Sequence, residues 1–299
     1  MKARILVIHN PVAGRGRRRR LRKLLKALAA RGHVTRSRLT THRGDAREVA
    51  RLAEETDVII AAEGDGTVNE IVDGLAARRP DQPLPALGFL PLGTANVLAW
   101  ELGLPRDADG LVRLIEGGEV LQVLPGKANE HRFALMASVG LDARAVAAVG
   151  KTTKRLLGGA AYVLAAVQAL RQAPPRYRVT IDGRAFEART VIVTRARRYG
   201  GPFVLAPDAG LHTDGLQVVM LQSYGLLAAV RYGIALALGR LDRLDDVTEV
   251  CGRRVEIRGP TDEPVQMDGD VTMALPLDVS IDRRAVPFLV PKPAAATGT

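Results

Sequence analysis

The stretch Asp57-Val-Ile-Ile-Ala-Ala-Glu-Gly-Asp-Gly-Thr-Val-Asn-Glu70 carries the densest chemistry in the chain. A β-branched run leads into a glycine turn that holds an aspartate, and a hydroxyl and a carboxylate follow at helical spacing. Gly64 and Gly66 allow positive φ and let a ligand reach the backbone, while the bare N–H groups of a helix start favour an anion such as a nucleotide phosphate. A local reading accounts for the same residues, because Thr67-x-x-Glu70 is a capping box and Asp-Gly is an ordinary turn pair. Asp65 weighs between the two. A carboxylate beside a phosphate repels it unless it binds Mg²⁺ or accepts from ribose or backbone donors, which is the setting of a metal–nucleotide complex.

A second turn of this kind follows the next apolar run, Gly88-Phe-Leu-Pro-Leu-Gly-Thr-Ala-Asn96, and a third, Asn10-Pro-Val-Ala-Gly14, follows the first run. Glycine turns at successive strand ends point to one crevice along the carboxyl edge of a sheet. Neither a Walker-type P-loop nor a Gly-x-Gly-x-x-Gly fingerprint is present, so another nucleotide architecture is needed. Other chemistries find little support: His9, His33, His42, His131 and His212 have no ligand spacing, and Ser138 lacks a nucleophile elbow. Cys251 is the single cysteine, which excludes an internal disulfide and fits a core residue in a reducing compartment.

The elements that must hold these turns are legible as alternating periods. Up to about residue 120, short runs (Arg4–His9, Val34–Thr41, Asp57–Ala62, Ala86–Leu90) alternate with helical segments at 17–30, 45–55, 67–77, 95–102 and 107–116, which predicts crossover units and a parallel sheet. Beyond it, Val179–Asp182, Ala188–Thr194, Leu216–Leu221, Arg254–Ile257 and Leu277–Ile281, with turn pairs such as Asp182-Gly183, read as an antiparallel β region. Helical stretches at 153–171 and 224–239 interrupt it. The expected division is an α/β domain at 1–122, a β domain at 123–286 and an extended, partly disordered tail at 287–299. The 299 residues, 47% of them hydrophobic, can fill two cores of this size.

Eight motifs stand in an order that resembles the diacylglycerol kinase catalytic-domain family, which includes bacterial diacylglycerol and lipid kinases and has sphingosine kinases as relatives. They are Asn10-Pro11…Gly14, Thr40…Gly44-Asp45-Ala46, Gly64-Asp65-Gly66-Thr67…Asn69-Glu70, Pro91-Leu-Gly-Thr-Ala-Asn96, Tyr199-Gly-Gly201, Ala206-Pro-Asp208, Asp214-Gly-Leu216 and Asp268-Gly269, across residues 4 to 290. The resemblance implies a three-layer α/β nucleotide-binding domain, a β-sandwich lipid-substrate domain, and ATP in the cleft between them. It implies that Asn10, Pro11, Gly14, Thr40, Gly64, Asp65, Gly66, Thr67, Asn69, Glu70, Gly93 and Thr94 contact ATP. It also implies that Asp214 and the carbonyls of Leu211 and Leu216 hold a structural Mg²⁺, and that the catalytic acid pair is Asp268 and Asp270, with Asp270 as general base.

The sequence departs from the family pattern in three places. Glu63 replaces the first glycine of Gly-Gly-Asp-Gly-Thr, Val97 stands where many bacterial diacylglycerol kinases have aspartate, and Asp270 replaces a glutamate one methylene longer. A catalytically weakened nucleotide- or lipid-binding relative is therefore an alternative, and an NAD kinase relative, which shares the Gly-Asp-Gly-Thr turn, is another. The implied reaction is phosphoryl transfer from Mg-ATP to a lipid hydroxyl. Net charge +11 favours an anionic partner, and the 4% aromatic content, with no ring among the arginines, disfavours single-stranded nucleic acid, so that no nucleic-acid partner is expected. The arginines from Arg17 to Arg20 precede the stripe Leu21, Leu24, Leu25, Leu28, so that a helix presents a core face and a basic face suited to anionic lipid. The apolar stretches Gly158 to Leu170 and Leu226 to Leu238 fall short of the roughly 20 residues that span a bilayer. A cytoplasmic protein, peripheral at the membrane, is expected. Whether it forms a homodimer stays open.

Overall fold

Ile5 to Ile8 and Val58 to Ala62 are buried on both faces, the condition of strands at the centre of a parallel sheet. The computed structural model describes residues 2–10, 15–148 and 173–292, so the helix expected at 153–171 lies outside the described residues. The chain forms two compact units, Met1–Val123 with Arg284–Thr299, and Leu124–Arg283.

The first unit alternates β1 (Arg4–His9), α1 (Arg15–Ala30), β2 (Val34–Leu39), α2 (Asp45–Leu52), β3 (Val58–Ala62), α3 (Asp65–Ala76) and β4 (Ala86–Phe89), then α4 (Val97–Glu101), α5 (Ala108–Gly117) and β5 (Glu119–Val123). The sheet order is β2-β1-β3-β4-β20-β5, where β20 is Val286–Val290. β1 to β4 run parallel; β20 is parallel to β4 and antiparallel to β5. The chain steps one way from β1 to β2 and the other way from β2 to β3 and β4, so right-handed crossovers put α1 on one face and α2 and α3 on the other. The packing agrees: α1 contacts α5, and α2 contacts α3. Gly74 permits the second contact, since a Cβ there would lie 2.2 Å from the carbonyl oxygen of Arg47. Leu24 and Leu28 of the expected stripe are fully buried.

The segment expected from 287 as an extended tail begins within a strand of the first sheet, a pairing the sequence reading did not anticipate. Phe288 pairs with Leu87 on one side and Leu121 on the other, and burying Val286, Phe288 and Leu289 holds the segment in the sheet as β20.

The second unit contains β6 (Gly126–Ala128), β7 (His131–Phe133), β8 (Met136–Val139), α6 (Leu141–Ala148), β9 (Tyr177–Ile181), β10 (Arg184–Ala188), β11 (Thr190–Thr194), the short β12 (Arg198–Tyr199) and β13 (Phe203–Val204), β14 (Leu216–Leu221), α7 (Leu226–Ala237), β15 (Val247–Gly252), β16 (Val255–Arg258), β17 (Pro264–Met267), β18 (Asp270–Ala274) and β19 (Leu277–Ile281). Two six-stranded antiparallel sheets result, β10-β9-β16-β19-β6-β7 and β15-β14-β11-β8-β17-β18. Alternate residues of both meet in one core: Val179, Ile181, Val255, Ile257, Leu277 and Val279 from the first, and Val191, Val193, Val218, Met220, Val265 and Met267 from the second. This is the period-two pattern of a sandwich. Asp182 and Gly183, at φ +47° and +84°, form the two-residue hairpin turn joining β9 to β10.

Candidate functional site

The first group of site residues lines the carboxyl edge of the parallel sheet, where the strand order reverses between β1 and β3 and where open α/β sheets bind ligands. Asn10 and Thr40 follow β1 and β2, and the Thr40 N–H donates to the His9 carbonyl (2.9 Å). Burial holds the His9 imidazole below the ordinary histidine range, against the opposing charge of Glu63. Pro11 and Gly14 lie outside the described residues.

The turns after β3 and β4 fit against each other, backbone to backbone. The Leu92 N–H donates to the Glu63 carbonyl (2.6 Å), and a Cβ on Gly93 would lie 2.7 Å from the Gly64 Cα and 2.7 Å from Asn96 Oδ1. Only glycine permits that approach at position 93. Asn96, at φ +47°, closes the second turn by accepting from the Gly93 N–H and donating to the Gly93 carbonyl, both at 2.9 Å. Thr94 is exposed at its tip, and no side chain caps α3 at Gly64.

Asp65 ties the two turns together. Its Oδ2 accepts from the Val97 N–H (2.9 Å) and its Oδ1 from the Leu98 N–H (3.1 Å), so it caps α4, a helix remote in sequence. Glu70 does the same for α2, accepting from the N–H groups of Gly44 (2.9 Å) and Ala46 (3.1 Å). The expected capping box is thus overturned. The Thr67 hydroxyl donates to the Glu63 carboxylate, and Glu70 turns to α2, whose own N-cap, Gly44, has no side chain to offer.

The second group lies on the hairpin joining β17 to β18. Asp268 and Gly269, at φ +47° and +88°, are its two turn residues, and Met267 pairs with Asp270 across it. The buried Asp268 carboxylate accepts from three backbone N–H groups, Ala134 (2.7 Å), Leu135 (3.0 Å) and Met136 (2.8 Å), while its own N–H donates to the Met136 carbonyl (3.1 Å). A carboxylate held in this way anchors the turn. Asp270 is exposed as the first residue of β18.

A neighbouring carboxylate that the sequence reading missed supports the other flank of the turn. Asp142 accepts from the hydroxyls of Ser138 and Tyr199 and from Gln266 Nε2 (2.9 Å), and Gln266 Oε1 accepts from the Gly269 N–H (2.8 Å). Of these, only Tyr199 carried a signal, the Tyr-Gly-Gly motif. Asp142 on α6 and Gln266 on β17 meet where the helix packs against that strand.

Residues 4–128 match the family model for the diacylglycerol kinase catalytic domain, and residues 136–290 match that of the YegS C-terminal NAD kinase beta sandwich-like domain. A diacylglycerol kinase of Bacillus subtilis (strain 168) is 29% identical over 304 residues, covering 97% of this chain and 97% of that protein. One of Staphylococcus aureus (strain MRSA252) is 30% identical over 283 residues, covering 92% and 89%. The chain belongs to the diacylglycerol kinase catalytic-domain family. A solved diacylglycerol kinase structure from Bacillus anthracis str. Sterne superposes with a TM-score of 0.73 at 26% identity, over 96% of this chain and 97% of that one. Family members are phosphotransferases with an alcohol group as acceptor.

Family membership gives the departures a structural meaning. Glu63 holds the Thr67 hydroxyl, and Val97 is buried with its N–H capped by Asp65. The residues matched to the structural Mg²⁺ do not fit an ion. The Leu211 carbonyl already accepts from the Leu124 N–H (2.9 Å) and from Arg195 Nη2 (3.1 Å), and Asp214 Oδ2 lies 3.0 Å from Arg253 Nη2. Guanidinium groups thus meet the Leu211 carbonyl and the Asp214 carboxylate, two of the three groups matched to the metal.

Proposed function

We propose that the protein is an ATP-dependent lipid kinase that phosphorylates the hydroxyl of a diacylglycerol-like or sphingoid-like lipid at a membrane surface, with Asp270 as general base. The observation that supports this reading is the hairpin tip: three N–H groups anchor Asp268, and Asp270 leaves the same turn as the exposed residue paired with Met267. Mg-ATP supplies the phosphoryl group and neutralises charge in its transfer. In the proposed reaction Asp270 takes the proton of the lipid hydroxyl as its oxygen bonds to the γ-phosphorus, and ADP departs. The N–H groups of the Gly64–Gly66 turn and the start of α3 bind phosphate oxygens, with Asn10, Thr40, Asn69, Gly93 and Thr94 along the same edge.

A bilayer contact has its own support. No helix among the described residues is long and apolar enough to cross a membrane. α7, however, is turned inside out: Ala228, Tyr232 and Ala235 face inward, while Leu226, Leu227, Val230 and Ile234, with Leu238 at the C-cap, face solvent over about a third of the circumference. Leu227 is 88% exposed, and Arg231, Arg240 and Arg243 line the same groove, where they can meet lipid phosphates.

The test is incubation of the pure protein with Mg²⁺, labelled ATP and lipids in mixed micelles, with label counted in the organic phase. Asp270→Ala should abolish transfer while ATP binding persists, and Asp270→Glu should retain or raise it. An active Ala variant removes Asp270 from the mechanism. ATP binding with no transfer to any lipid by any of the three proteins identifies a nucleotide-binding relative without kinase activity.

A further inference from the structure

Arg195 follows β11 and is the largest fully buried side chain among the described residues. Its guanidinium meets four main-chain carbonyls. Nε donates to Leu124 (3.0 Å), Nη2 to Leu211 (3.1 Å) and Thr213 (2.7 Å), and Nη1 to Gly215. Leu124 opens the second unit, and residues 211, 213 and 215 alternate along the loop that leads into β14. Burying a charge is expensive unless polar groups surround it, and converging carbonyl oxygens are the surroundings that a hard cation also takes.

We propose that the Arg195 guanidinium is the fixed internal cation of this loop, standing in place of a divalent ion, so that the loop binds no metal. The geometry supports this in three ways. Four of the five guanidinium N–H donors already have carbonyl acceptors, in a planar fork that an octahedral ion cannot share. The Leu211 carbonyl, needed as a metal ligand, has two donors. Asp214, the carboxylate matched to the metal, is ion-paired with Arg253 and also acts electrostatically on Arg195, so a cation added at Asp214 would compete with two guanidinium charges. Burial pushes the Arg195 guanidinium down to about 10, which leaves it charged at neutral pH.

That an ion belongs at this loop rests on family membership; the guanidinium geometry rests on neither that nor the kinase reading. The test accordingly uses nucleotide-free protein and thermal unfolding, because Mg²⁺ accompanies ATP in any activity assay. The wild-type midpoint should be the same in EDTA and in millimolar MgCl₂. Arg195→Met, which removes all four hydrogen bonds from the guanidinium to these carbonyls, should lower it by at least about 5 °C. Arg195→Lys, which keeps the charge but offers a point donor, should lower it less. A wild-type midpoint that rises with Mg²⁺ and falls with EDTA overturns the proposal, as does a Met variant as stable as wild type. If Arg195→Met does not fold, the EDTA comparison and the Lys variant still decide the question.

Discussion

Asp268→Ala separates anchoring from chemistry at the hairpin. The carboxylate is buried and takes three N–H groups, so truncation leaves three backbone donors at Ala134 to Met136 without their acceptor. An unsatisfied buried donor costs about 1–3 kcal/mol, and with water reaching part of the vacated space the sum is about 3–5 kcal/mol. At about 2–4 °C per kcal/mol, the midpoint should fall by about 6–20 °C. Asp268→Asn keeps the preference for positive φ and one acceptor oxygen, and should lose roughly half as much. Scanning fluorimetry beside the labelled-lipid assay gives the contrast: Asp268→Ala loses stability, whereas Asp270→Ala keeps its midpoint and loses transfer. A midpoint for Asp268→Ala within about 2 °C of wild type would sink the anchor argument.

Three other outcomes are expected. Gly93→Ala forces a Cβ against the Gly64 Cα at 2.7 Å and should weaken ATP binding by at least tenfold, about 1.4 kcal/mol, in a titration; unchanged affinity would separate the paired turns from the nucleotide site. For His9 the folded value is depressed by burial, so its contribution to stability is fully present above the unfolded value near 6.5 and is lost as pH falls below it; NMR titration of the His9 ring against the first unit's unfolding should show both, and a ring titrating above 6.5 refutes it. Leu227→Gln with Ile234→Gln should cut co-sedimentation with phosphatidylglycerol vesicles by at least about tenfold, since each side chain contributes about 1.5–3 kcal/mol when buried. If replacing Arg17 to Arg20 by Gln abolishes binding and the α7 pair does not, the bilayer contact lies on α1 instead.

Local periodicity and turn chemistry carried the architecture well. The β-branched runs ending at His9, Ala62 and Leu90, the Leu24/Leu28 stripe and the Asp182-Gly183 hairpin each follow from residues within a few positions of one another. What escaped the sequence reading is long-range. Glu70 sits at capping-box spacing yet caps α2, because the competing donor set was invisible in the linear order. Val-Pro-Phe-Leu-Val at 286–290 contains a proline, which argues against a strand inside a sheet, and only the pairings with β4 and β5 identify it as one. Arg195 reads as one arginine among many until Leu124, Leu211, Thr213 and Gly215 come together around it.

The position of β20 has a consequence for how the protein is made. β4 and β5 do not pair with each other; Val286–Val290 lies between them and comes from the far end of the chain. On the ribosome the first unit therefore waits for its missing strand while the whole second unit is translated, on the order of ten to thirty seconds at about 5–20 residues per second. During that interval the facing edges of β4 and β5 are open to wrong partners, a hazard that chaperones shield. A fragment ending at Val123 would keep those edges open permanently, so a first unit cut from this chain should carry the 284–292 segment, fused or supplied as a peptide.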